Sequence, residues 1–394
     1  MATCIVQGTG GSGKGLVIDA PVEQITPGFS VLRGGIIYSK TEFNKLANPT
    51  TLPGAAGFGC AFSTNGDYFA ITLDGSPFIA IYKRTDESTF VKLGLPPILP
   101  AGNARGAFFS PDGTYLAIAH WNSPFITIYK REGDVFNKLA NPAQLPGSDA
   151  YGCAFSSDGN YLVVAHSASP FITIYKREGD VFNKLANPAQ LPGNSAYGCA
   201  FSPNGTYLAA AIANPFIAIY KREGDIFNKI ANPAQLPTGL SRGCAFSSDG
   251  NFFVVAHNTW PFIAIYKIEN DIFTKIANPD VLPVGDALSC MFSPNDHFFA
   301  IGHTASPCLT IYKNNGGVFE KMPNPTVLPI GEGYGCAFSG NMIYLASGHT
   351  VTPFFTIYSI KNIHSPSLMN GITNIHIALE SGNGLTPLNA NNIM

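Results

Sequence analysis

The sequence predicts an all-β chain, a seven-bladed β-propeller of four-stranded antiparallel blades whose ring is closed by an N-terminal outer strand. Three observations carry that expectation. An aromatic anchor ending a GCAF-type segment recurs at Phe62, Phe109, Phe155, Phe201, Phe246, Phe292 and Phe338, at intervals of 45 to 47 residues. The tyrosine of an IYK-type segment recurs in the same rhythm at Tyr82, Tyr129, Tyr175, Tyr220, Tyr266, Tyr312 and Tyr358. The chain also carries 41 Gly and 30 Pro, which sets turns too close together for long helices. A fixed period of this length marks a repeat architecture, and seven copies fall within the range that propellers use.

Each copy reads as four strands. In the third copy, residues 151–156 (YGCAFS) give the inner strand and Ser157-Asp158-Gly159-Asn160 the hairpin turn, where Gly accepts a positive φ without a steric penalty. Residues 161–165 give the second strand, 171–176 the third, with the alternation FITIYK, and 182–185 the fourth. The polar REGD segment is the outer hairpin loop. Pro170 is read as opening the third strand, where its missing N–H does no harm. An Asn-Pro and then a Leu-Pro step hold the crossover to the next blade extended. After Tyr358 no FNKL-type outer strand follows, yet Phe43-Asn44-Lys45-Leu46 precedes the first inner strand. The N-terminus is therefore expected to complete the last blade, with residues 36–47 beside residues 353–358 and no sheet edge left open there. This divides the chain into a tail at 1–35, a propeller at 36–360 and a tail at 361–394.

The composition is 45% hydrophobic, with 29 Phe and 16 Tyr, and only 12% charged, which supplies a large core and excludes disorder for the bulk of the chain. A net charge of -2 and a pI near 6.4 give no basic field, so nucleic acid is not expected as a partner. No apolar run reaches the roughly 18 residues of a membrane span, and MATCIVQGTGG lacks the charged-then-apolar order of a signal peptide. Synthesis in a cytosol is the expectation.

The repeats supply an internal control, because positions constant among copies build the blade and positions that vary are free to specialise. Six cysteines share one position, at Cys60, Cys153, Cys199, Cys244, Cys290 and Cys336, with Ala107 in the second copy. Equivalent points on different blades are too far apart for a disulfide, which needs Cα atoms within about 7 Å, so these read as small buried apolar residues. Five histidines stand eleven residues after the anchor, at His120, His166, His257, His303 and His349, with Leu73 and Ile212 in the other copies. They read as blade residues bonded to the neighbouring loop backbone, since ligands of one metal ion must converge within about 2 Å of it. The residue four before the anchor varies most: Phe58, Arg105, Tyr151, Tyr197, Arg242, Leu288 and Tyr334. A rim of aromatic and arginine side chains has the composition of a recognition surface. Trp121 and Trp260, both in loops after a second strand, are further candidates for stacking on a sugar or anchoring a partner.

For catalysis the sequence offers no set. Asp112, Asp158 and Asp249 are committed to inner hairpins, and Asp74, Asp149, Asp286 and Glu332 form no pair with a base at a telling spacing. No catalytic residue, metal or cofactor is expected. Residues 8–14 (GTGGSGK) match the start of a phosphate-binding loop, but Gly15 stands where Ser or Thr should bind magnesium and no helix-forming segment follows, so it reads as a glycine loop.

The segment FSPDGTYLA at residues 109–117 and its copies resemble the propellers of the WD-repeat and lactonase-like type, over residues 36–360. Tyr-Lys stands near the point where WD repeats end in Trp-Asp. The near-identity of the copies, with PFITIYKREGD almost verbatim in several, resembles repeat propellers of phages and bacteria. That resemblance implies a non-enzymatic structural or recognition component of a phage virion, decorating a capsid or tail or binding a host surface. Its tails, 1–35 and 361–394, would be floppy alone and are expected to hold it to protein subunits of a larger assembly. It would then be made in the host cytoplasm and reside in the virion, or else stay cytoplasmic or reach a cell surface by a non-classical route. The alternatives are a carbohydrate-binding lectin or adhesin using Trp121, Trp260 and the tyrosine rim, and a lactonase-like hydrolase.

Overall fold

The structure, a computed structural model, describes residues 4–8, 16–18, 39–364, 375–381 and 384–388. It divides into two units, Phe43–Ile360 on one hand and the two ends of the chain, Met1–Glu42 with Lys361–Met394, on the other.

The larger unit is a ring of seven blades, each a four-stranded antiparallel sheet. Blade three shows the pattern: Ala150–Phe155, Tyr161–His166, Ile172–Glu178 and Val181–Lys184, in that order from the axis outward. Every second strand is buried along its whole length, because neighbouring blades cover both of its faces. This is why those strands read as unbroken apolar runs rather than alternating ones. The hydrophobic clusters lie between blades: one joins Tyr115, Ala117 and Ile128 of blade two to Cys153, Phe155 and Val164 of blade three. The repeated tyrosines explain themselves here. Tyr129, Tyr175 and Tyr312 are buried, and each hydroxyl donates to a crossover carbonyl, of Ile98, Gln144 and Val281, at 2.8–2.9 Å.

The seventh blade takes Gly333–Phe338, Tyr344–His349 and Phe355–His364 from the end of the ring and Ser39–Lys45 from its beginning. The Leu46 N–H donates to the Ile357 carbonyl at 2.8 Å, the Ser359 hydroxyl donates to the Asn44 carbonyl at 3.3 Å, and Phe43 packs in one cluster with Tyr358. The expected splice is therefore present, and the last inner strand lies beside the first.

One local expectation is corrected. Pro170 does not open the third strand; it closes a turn over Ala168–Phe171, with a cis Ser169–Pro170 bond and a 2.7 Å bond from the Phe171 N–H to the Ala168 carbonyl. The strand starts one residue later, at Ile172. A cis proline at the third position defines a type VI turn. All seven copies carry such a bond, and the residue after it has a positive φ each time, from Cys308 at 64° to Phe216 at 81°. Reading the proline as a strand opener missed both features, because the sequence does not distinguish cis from trans.

In the other unit, Cys4–Gly8 pairs antiparallel with Leu16–Ile18 and with Ile375–Ser381, which pairs in turn with Gly384–Leu388. The chain's two ends thus share one four-stranded sheet. Residues 9–14 of the glycine segment, and most of the tails expected to moor the protein, lie outside the described residues.

Candidate recognition site at the channel mouth

The inner strands stand shoulder to shoulder around the axis, and a glycine sets how close they come. A Cβ on Gly106 would lie 2.9 Å from the Gly152 Cα, and one on Gly198 would lie 2.8 Å from the Arg242 carbonyl oxygen, both closer than any side chain tolerates. The channel they enclose holds about 470 Å³. The residue immediately before this glycine position lines the channel at its mouth, so the variable rim lies one residue outside the level where the glycines bring neighbouring strands together.

The rim side chains stack on one another in an arc that crosses five consecutive blades and the seventh. Tyr334 meets Phe58 edge-on at 4.3 Å, and the Arg105 guanidinium lies between the Phe58 ring at 3.9 Å and the Trp121 ring at 4.3 Å. Trp121 meets Tyr151 at 6.0 Å, Tyr151 meets Tyr197 at 5.0 Å, and the Arg242 guanidinium covers Tyr197 at 4.7 Å. Each is a cation–π or edge-to-face contact, the geometries that ring quadrupoles favour. Arg105, Tyr151, Tyr197, Arg242, Leu288 and Tyr334 line the channel. Seven of the eight residues singled out from the sequence therefore converge. Trp260 does not: it lies in the turn before Pro261, 69% exposed, with its carbonyl taking the Thr238 hydroxyl at 3.0 Å.

Charge at the mouth is uneven. Arg105 donates to Asp74 at 3.1 Å, and Asn103 donates to the same carboxylate oxygen at 2.6 Å. Burial raises the Tyr151 and Tyr334 hydroxyl pKa values, and both arginines, within electrostatic reach of each, pull them partly back. The Asp74 contact was missed from the sequence. The available signal was an acid, present in the first copy alone, directly after the position where most copies carry histidine.

The other candidates resolve into structural roles. The Cys153, Cys199, Cys244, Cys290 and Cys336 thiols face the preceding blade, each donating a weak bond to a backbone carbonyl at 3.5–3.9 Å, and burial raises their pKa values. The five histidines are fully buried, and in four of them the main partner is a threonine of the third strand rather than loop backbone alone: His120–Thr127, His166–Thr173, His303–Thr310 and His349–Thr356, all at 2.9–3.0 Å. In His120 and His349 the other ring nitrogen reaches a carbonyl, of Trp121 and Val351, so Nδ1 carries the proton and Nε2 accepts from the threonine hydroxyl. Burial lowers all five pKa values, those of His166, His257 and His303 to about 4. Asp149 accepts from the Asn122 N–H, and Asp112, Asp158 and Asp249 accept from hairpin serines. Among the described residues no three His, Cys, Asp or Glu side chains group as metal ligands.

No protein-family model matches the chain, and a search of curated proteins finds no match. Among solved structures it is similar to a chain of Kuenenia stuttgartiensis hydrazine synthase, with 14% sequence identity and a TM-score of 0.62 over 81% of this chain and 97% of that one. At that identity the likeness is one of fold.

Proposed function

We propose that this chain is a non-catalytic recognition propeller that engages its ligand or partner at the mouth of the central channel. The observation that carries the reading is the stacked arc. In repeats that are otherwise nearly verbatim copies, the one strongly varied inner-strand position supplies four aromatics and two arginines, and these assemble around a single opening. The commitment of carboxylates elsewhere supports a non-catalytic role, since Asp74 is held by Arg105 and the hairpin aspartates close their own turns. Glycan and peptide arrays probed with the full chain test it. Hits should disappear in a Tyr151→Ala, Tyr197→Ala double variant, and hits that persist there would remove the mouth as the binding site.

Trp260 favours a second reading, a lectin or adhesin contact on the fifth blade, because an indole exposed to this degree has no packing role to account for it. Array hits lost in Trp260→Ala and kept in the double variant would select that reading. A place in a virion belongs to the same proposal and rests on the resemblance of the near-identical repeats. A chain lacking residues 1–33 that still joined its assembly would remove the mooring role.

A further inference from the structure

Arg105 and Arg242 occupy the same repeat position in blades two and five, yet only one of them has a counter-charge. For Arg105 that charge is Asp74, whose N–H donates to the Ala56 carbonyl at 3.0 Å; in the copy before Arg242 the equivalent N–H belongs to Ala213 and donates to the Ser195 carbonyl at 3.0 Å. Asn103, the second donor to Asp74, has Leu240 as its counterpart two residues before Arg242. Arg242 thus keeps the cation–π contact with Tyr197 and has nothing in the place of the acid; its Nε, like that of Arg105, is buried without a partner. The Tyr151 and Tyr197 rings beside it present hydroxyl groups that bond no other described residue, in a channel whose volume suits a small ligand.

We infer that the channel mouth binds a carboxylate group of a small ligand, with Arg242 as its anchor and the tyrosine hydroxyls as flanking donors. This rests on the mouth being the recognition site. An arginine fork presents two parallel N–H donors that match the two oxygens of a carboxylate. Of the two rim arginines, Arg242 alone has no acid directly on its guanidinium, and a carboxylate would supply one. A dianion such as phosphate would bring twice that charge towards Asp149 and Glu332, whose charges act on Tyr151 and Tyr334 at the rim. The carboxylate sources that present such a group at an accessible end are an acidic sugar and a peptide C-terminus, and the test separates them.

Titration calorimetry on the full chain distinguishes these sources. The probes are N-acetylneuraminic acid, galacturonic acid and an N-acetylated dipeptide with a free C-terminus, each beside its methyl ester, with inorganic phosphate as a further arm. At least one acid should bind about tenfold or more tightly than its ester, as expected for a charge-assisted fork, and the arm that binds names the source. Ala213→Asp installs the missing counter-charge and should weaken that binding by about tenfold or more while the thermal midpoint holds; Arg242→Gln should do the same without adding a charge. Equal binding of acid and ester, a preference for phosphate, or unchanged affinity in both variants would overturn the inference. So would failure of every acid probe to bind. Array hits lost in the tyrosine double variant would in each of those cases leave the recognition reading standing.

Discussion

The junctions between the first blades and the junction between blades five and six solve the same packing problem differently. From blade one to blade four, a tyrosine and a lysine of one blade grip an aspartate in the outer turn of the next. Tyr68 and Lys83 meet Asp134 at 2.6 and 2.8 Å, Tyr115 and Lys130 meet Asp180 at 2.6 and 2.7 Å, and Tyr161 and Lys176 meet Asp225 at 2.5 and 2.7 Å. Arg131, Arg177 and Arg222 cover the three tyrosine rings at 4.7–5.0 Å. At the next junction Tyr207 and Lys221 still hold Asp271, but Ile268 has replaced the arginine. Between blades five and six Phe252 has lost the hydroxyl, and Gly317 stands where the aspartate was. A Cβ on Gly317 would lie 2.8 Å from the Phe252 ring, so the phenyl fills the space the carboxylate would need. Partners change together: a polar clasp is exchanged as a unit for ring-against-glycine packing, which avoids leaving half of a clasp desolvated.

The side where phenylalanine stands in the tyrosine's place, at Phe252 and Phe298, should be the most sensitive to loss of apolar contact. Between blades six and seven the ring is closed by Phe43, which is buried and meets Phe298 edge-on at 5.6 Å, on a strand held by no covalent link to its sheet neighbours. Phe43→Ala is expected to cost about 3–5 kcal/mol in chemical denaturation, the range for a buried phenylalanine. A loss under about 1 kcal/mol would show that the ring closes without this contact and that the weak side lies elsewhere.

Converting a clasped junction into the other kind should cost less. Asp225→Gly leaves the Tyr161 hydroxyl and the exposed Lys176 without their partner, and a drop of a few degrees in melting midpoint at neutral pH is expected. Lys176 and Tyr161 hold the Asp225 carboxyl below the usual carboxylate range. Its contribution is therefore complete above the unfolded value of about 4 and is lost as pH falls through the depressed folded value. Wild-type and variant midpoints should converge on acidification; a gap that stays constant down to pH 3 would separate the clasp from its charge.

Much of this architecture was legible before the structure. The two anchors fixed the blade count, and the displaced FNKL segment fixed the closure, because a four-strand repeat with one strand missing at its end and one extra at its start has one solution. The rim positions were legible as the varied ones. Their stacking order was not, since it depends on side-chain directions across blades, and nothing in the sequence separated Trp121, clamped by Arg105, from Trp260 in open solvent. The pairing of the chain's two ends escaped for a related reason: Ile5 and Ala378 are too distant in sequence for any periodicity to link them.

Histidine burial should give a milder pH effect on the same comparison. His166 has its pKa lowered to about 4 by burial, so the folded state loses stability as pH falls below the unfolded value of about 6.5. His166→Leu combined with Thr173→Ala, the arrangement the first copy carries as Leu73 and Ala80, should flatten the dependence of the melting midpoint between pH 6.5 and 4. An unchanged slope would assign that acid sensitivity to other groups.

The smallest expected effect concerns blade five, where the exchange of partners is incomplete. Copies with histidine carry threonine on the third strand, and copies one and four replace both, with Leu73 beside Ala80 and Ile212 beside Ala218. Blade five keeps His257 and has Ala264, and both ring nitrogens are buried without a protein partner. Ser241, paired in register with His257 on the same face, has a buried and equally unpartnered hydroxyl. Replacing both members of a buried hydrogen bond is nearly neutral, whereas removing one leaves a desolvation penalty. Ala264→Thr should therefore restore the bond to Nε2 and stabilise the fold by about 1 kcal/mol. His257→Leu, which completes the exchange from the other side, should be neutral or stabilising. If Ala264→Thr destabilised the fold and His257→Leu did too, the space beside His257 would be occupied by a bound water joining it to Ser241, and blade five would owe its stability to that bridge.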